Sequence, residues 1–92
     1  MCAYSSYKDA LMAKEDKPRA LAYEKAMQVL GDMEKMKQTI CIENVKKIDA
    51  EMRAMCDYAL NSILPHWSEM SLYENDVVYR MISLLNDIID IQ

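Results

Sequence analysis

A single glycine, two prolines and no phenylalanine in 92 residues leave this chain little with which to build a sheet. Hairpins and strand ends draw on Gly, Pro and Asn-Gly pairs to reverse direction. Alanine, leucine, methionine, glutamate and lysine dominate instead, and all five are good helix formers. The expectation is an all-α fold. It is a small helical bundle with a short N-terminal helix over 6–15 and three longer helices over 18–38, 42–64 and 71–91. A chain this short forms a single domain, 1–92.

Local signals set those boundaries. Ser6-Tyr-Lys-Asp9 reads as a capping box with a shortened acid. Asp16-Lys-Pro18 reads as a stop and restart, because proline costs nothing in the first turn of a helix. Ala22, Ala26, Val29, Met33, Met36 and Ile40 then recur at steps of 4 and 3, which marks an inward stripe. The stripe resumes out of phase at Cys41, Val45, Ile48, Met52, Met55 and Ala59. A single helix from Pro18 to Leu64 would run roughly 70 Å. A compact domain of this size has a radius of gyration of about 12 Å. The helix is therefore expected to break near 38–42, with Gly31 as the alternative break.

Leu64 precedes Pro65 and should end the third long helix. Ser71-Leu-Tyr-Glu74 is a clear capping box for the last one. Val77, Met81, Leu84, Ile88 and Ile91 form one seam on that helix, and Val78, Ile82, Leu85 and Ile89 form a second beside it. Together they are wider than one neighbouring helix covers, so the helix sits centrally or pairs with another chain. Between the last two helices, Pro65-His66-Trp67 reads as a joint whose indole plugs the end of the bundle.

Composition excludes several classes. The longest apolar runs are only a few residues, so no membrane span is expected, and the first residues lack the apolar core of a signal peptide. Cys2, Cys41 and Cys56 are odd in number and widely spaced, which fits reduced thiols and a cytoplasmic location. Net charge is −4, and it is uneven. Residues 1–53 carry a net +1, whereas residues 54–92 carry only Arg80 against six acids. A chain so charged, with no basic run, is a poor binder of duplex nucleic acid.

Catalysis is not expected. His66 is the only histidine, and no spacing pairs it with a nucleophile and an orienting group. No Glu-x-x-His pair or Cys/His cluster offers a metal its ligands, and one glycine makes no phosphate loop. No cofactor is expected.

Three functions remain. The first is a non-enzymatic, oligomeric interaction protein that binds and modulates a larger protein, contacting it through His66, Trp67, Glu69, Met70, Glu74 and Asp76. Nine methionines fit a core that lacks phenylalanine, and equally a pliable binding face. The second is a binder or sponge for nucleotides or phosphate, in which Tyr4, Tyr7, Lys8, Lys17, Arg19 and Tyr23 gather rings and cations near two helix starts. The third is an architectural subunit of a larger assembly.

Overall fold

The computed structural model describes the backbone of residues 3–91 and the side chains of residues 7–90. Four α-helices follow one another: α1 (Ala3–Ala13), α2 (Lys17–Lys37), α3 (Val45–Ile63) and α4 (Leu72–Ile91). A short 3₁₀ segment, Leu64–Glu69, joins α3 to α4. The all-α bundle with a short first helix is the expected fold, with its boundaries corrected.

The first correction is at the N-terminus. α1 spans Ala3–Ala13, so the backbone of Ser6 lies inside the helix and not at the expected start. The helix closes on a pair of crossed bonds. The Asp16 N–H donates to the Leu11 carbonyl at 3.1 Å, and the Glu15 N–H to that of Met12 at 3.0 Å. That pattern requires a left-handed residue between them, and Glu15 supplies it at φ 61°. Asp16 stands at the start of α2, but its side chain caps nothing there.

The break near 38–42 is present, and α2 continues past Gly31 to Lys37. Asn44 makes the turn. Its side-chain oxygen accepts the Cys41 N–H at 2.7 Å, and its amide donates to the Thr39 carbonyl at 3.0 Å. The turn delays α3 to Val45, three residues beyond the expected start. At the other end of α3, Leu64 keeps helical geometry at φ −59° and ψ −34° despite preceding proline. The chain tightens into the 3₁₀ turn instead, where Pro65 occupies an early position that needs no N–H. Met70 is the extended residue that ends the joint, at ψ 133°.

The core is continuous and contains residues from all four helices. Ala26, Val29 and Met33 of α2, Ile48, Met52 and Ala59 of α3, and Val77, Met81 and Ile88 of α4 are all buried in it. Met33, Met52 and Met81 are fully enclosed, while Met27, Met36 and Met55 pack at its margin. The flexible thioether fills the volume that aromatic rings occupy in other cores. Arg19 meets Glu74 at one end of the bundle and Lys37 meets Asp87 at the other, so α2 and α4 run parallel. α3 runs back in the opposite direction and packs against both, and α1 folds back on the first half of α2.

Among the described residues, no helix is long and apolar enough to cross a membrane.

Candidate functional site

Both groups of residues singled out in the sequence converge on one end of the bundle, where α1, α2 and the start of α4 meet. The centre of that meeting is Glu74, which is fully buried. Ser71 and Glu74 form the expected capping box. The Ser71 N–H donates to Glu74 Oε1 at 3.1 Å, and the Ser71 hydroxyl accepts the Tyr73 N–H at 3.2 Å. This box turns the carboxylate back over the helix start and into the protein.

Arg19 reaches the carboxylate from α2. Its Nε lies 3.1 Å from each Glu74 oxygen, and its Nη2 lies 2.6 Å from Oε1. The same Nη2 donates to the Glu69 carbonyl, which ties the joint to α2. Tyr7 of α1 closes the group. Its hydroxyl accepts from Arg19 Nη2 at 2.8 Å and donates to Glu74 Oε1 at 2.6 Å. The Tyr7 ring stacks on Tyr73 at 4.9 Å and meets the edge of Tyr23 at 5.1 Å.

These contacts shift the titrations of all three groups. Burial alone would push the Glu74 carboxyl up, but the hydrogen bonds from Arg19, Tyr7 and the Ser71 N–H outweigh it and hold it below the usual carboxylate range. Burial, together with the bond to Glu74, raises the Tyr7 hydroxyl. The bond to Glu74 raises Arg19 further still.

The geometry decides how the sequence candidates are placed. Of the nucleotide cluster, Tyr7, Arg19 and Tyr23 do come together, but the guanidinium charge is neutralised by Glu74 and Tyr23 is buried. Lys8 pairs with Glu24 across α1 and α2 at 2.7 Å, and Lys17 is exposed. The Tyr4 side chain lies outside the described residues. Tyr7, Arg19 and Tyr23 thus form a structural knot with Glu74.

Of the proposed contact surface, Glu74 is inside the protein and presents nothing to a partner. Asp76 is half-buried and pairs with Arg80 at 3.1 Å. His66 and Met70 are half-buried, and His66 Nδ1 stands 4.0 Å from the exposed Glu69. Trp67 does not plug the bundle. It is 72% exposed, beside Leu64 at 49% on the same joint and Leu72 at 84% at the start of α4. The 3₁₀ turn explains this: Ile63 fills the core position at the end of α3, and the tightened segment carries its own side chains outside.

Cys56 is buried in the hydrophobic core. Burial and the nearby Asp57 raise its thiol, which keeps it protonated. Among the described residues, no cluster of three or more His, Cys, Asp or Glu is arranged to hold a metal ion. Sequence reasoning missed Tyr73, whose ring packs on Tyr7, and it missed the role of Arg19. The capping-box spacing was the one available signal that Glu74 turns inward.

No protein-family model matches the chain, and no match was found among curated proteins or solved structures.

Proposed function

We propose that this chain is a non-catalytic helical interaction protein that binds and modulates a larger protein through the joint between α3 and α4. The observation that carries this reading is the exposure of Trp67. An indole left 72% in water costs the isolated chain solvation without adding to its core. Tryptophan is also the residue type most enriched at the energetic centre of protein interfaces. Leu64, exposed on the same joint, adds to the apolar surface. Glu69, exposed on the same joint, adds an acidic rim. A partner with an apolar pocket ringed by basic side chains suits such a patch. The Glu74 knot adds rigidity, because it anchors Glu69 and Ser71 on either side of Met70 to α2.

The test is capture of partners from the native host with the tagged chain and with Trp67→Ala. A protein retained by the wild type and lost by the variant, at unchanged helicity and melting temperature, supports the reading. Equal capture by both chains refutes it.

A further inference from the structure

The outer surface of α4 carries a pattern of its own. Leu72, Asn75, Tyr79, Ile82, Asn86 and Ile89 follow one another at steps of 3, 4, 3, 4 and 3, and all six are exposed. The stripe lies away from Val77, Met81 and Ile88, which face the core. Steps of 3 and 4 are the seam of a coiled coil. The stripe is about 25 Å long at 1.5 Å per residue. It holds no charged residue, although α4 itself carries Glu74, Asp76, Arg80, Asp87 and Asp90.

We infer that this stripe is a homodimer interface, in which α4 packs antiparallel against α4 of a second copy. This deepens the interaction-protein reading by naming one partner of the chain as the chain itself.

The order of residues along the stripe supports this. Reversed, it matches itself: Leu72 falls opposite Ile89, Asn75 opposite Asn86, and Tyr79 opposite Ile82. Each two-fold-related layer is therefore apolar against apolar or amide against amide, as an isologous contact requires. The two Asn75–Asn86 layers can each exchange side-chain amide hydrogen bonds. A slip of one heptad would set Asn86 opposite Ile82, or Asn75 opposite Tyr79, and would separate the paired amides. Paired asparagines in an apolar seam thus fix its register.

The flanks favour the antiparallel direction over the parallel one. On one side of the stripe stand Val78 and Leu85, half-buried. On the other stand Asp76, Ser83 and Asp90. In an antiparallel pair Val78 meets Leu85, and the polar flanks meet each other. In a parallel pair Leu85 would meet Asp90. The antiparallel arrangement also brings Asp90 beside the first turn of the partner's α4, where the positive end of the helix dipole favours an anion. Asp76, on that same flank, is already paired with Arg80. One helix pair makes an interface at the small end of the stable range, so association in the micromolar range is expected.

Sedimentation equilibrium on the pure chain, from low to high micromolar concentration, tests this. The expected limit is twice the chain mass of 10.7 kDa. A monomer throughout overturns the inference. Ile82→Glu places two carboxylates in the seam and should abolish the dimer while helicity is kept; an undiminished dimer overturns the assignment. Tyr79→Lys combined with Ile82→Glu sets an ammonium opposite each partner carboxylate only if the helices are antiparallel, and should restore the dimer. Failure to restore it overturns that direction. Disulfide trapping gives a readout that does not rely on charged variants. In a Cys2→Ser, Cys41→Ser background, Asn75→Cys mixed with Asn86→Cys should cross-link, and Asn75→Cys alone should not. The reverse result overturns the pairing. None of these outcomes depends on whether a larger partner is captured.

Discussion

Arg19 and Glu74 stand 55 positions apart in the chain and meet at 2.6 Å, with the carboxylate fully buried and the guanidinium nearly so. The pair joins the start of α2 to the start of α4, and Tyr7 brings α1 onto the same two groups. Three helices are thereby clamped at one end of the bundle by a single carboxylate.

Removing one member of that clamp should be costly. Glu74→Ala leaves the Arg19 charge in a low-dielectric site, and it strips the Tyr7 hydroxyl and the Ser71 N–H of their acceptor. Loss of one partner from a buried ion pair costs about 3–5 kcal/mol. A chain of this size has roughly 5–14 kcal/mol to lose. The urea midpoint should fall sharply, with little change in slope. Replacing both charges, as Arg19→Met with Glu74→Met, should recover most of the loss, because no charge is then left without its counterpart. A double variant as weak as Glu74→Ala would show that geometry, not charge compensation, holds the joint.

The same pair sets a pH dependence. The Glu74 carboxyl titrates lower in the fold than in the unfolded chain, whose ordinary value is about 4.3. Its charged form therefore adds stability above that value, and the contribution disappears as pH falls through the folded value. The difference in melting temperature between the wild type and Glu74→Gln should be constant at neutral pH and should shrink below about pH 4. The Tyr7 hydroxyl is raised, so its contribution has the opposite sign. It is present below about pH 10 and is lost as pH rises through the folded value. Tyr7→Phe should remove that alkaline loss. Thermal melts across the pH range check both limbs.

The helical class, the break near position 40 and the last capping box were legible because each rests on near neighbours in sequence. Scarce glycine, a shift in apolar phase and Ser71-x-x-Glu74 are local facts with local causes. The inward stripes were legible for the same reason: Ala26, Met33, Met52 and Met81 are buried where the period placed them. The knot was not legible, because nothing near Arg19 marks it as the partner of a residue 55 positions on. Arg19 and Tyr7 look like a cationic, aromatic surface until tertiary packing supplies the carboxylate. Trp67 misled in the other direction. A large apolar ring after a proline is ordinarily core, but the 3₁₀ turn gives the core position to Ile63 and leaves the indole outside. The turn at Asn44 was missed because the residue lies two positions beyond the apparent break and acts through its side chain.

The chain's one glycine sits where none is needed, and a left-handed residue sits where glycine is absent. Gly31 lies within α2, and a Cβ added there would meet nothing within 4 Å. Gly31→Ala should therefore stabilise the protein by about 0.8–1 kcal/mol through helix propensity. Glu15 holds φ 61° at the end of α1, a conformation that costs a residue with a side chain about 1 kcal/mol or more. Glu15→Gly should recover part of that cost. Each change should raise the melting temperature by roughly 4–8 °C per kcal/mol in a domain of this size. The two sites lie on different segments and share no contact, so the gains should add. Differential scanning calorimetry of the two single variants and the double variant checks direction and additivity.

Trp67 is the only tryptophan, so its fluorescence reports on the joint alone. At 72% exposure the indole should emit like one in water and be quenched freely by acrylamide. Unfolding in urea should shift its emission little, because it begins in solvent and ends there. Trp67→Ala should change stability by less than about 0.5 kcal/mol, as surface substitutions do. A core tryptophan behaves otherwise on every count: blue emission, protection from quencher, a large red shift on unfolding and a truncation cost of about 3–5 kcal/mol. These outcomes separate an indole that waits for a partner from one that its own bundle consumes. If the native chain gave blue, protected emission at concentrations where it is monomeric, Trp67 would belong to the core and the proposed contact surface would lose its centre.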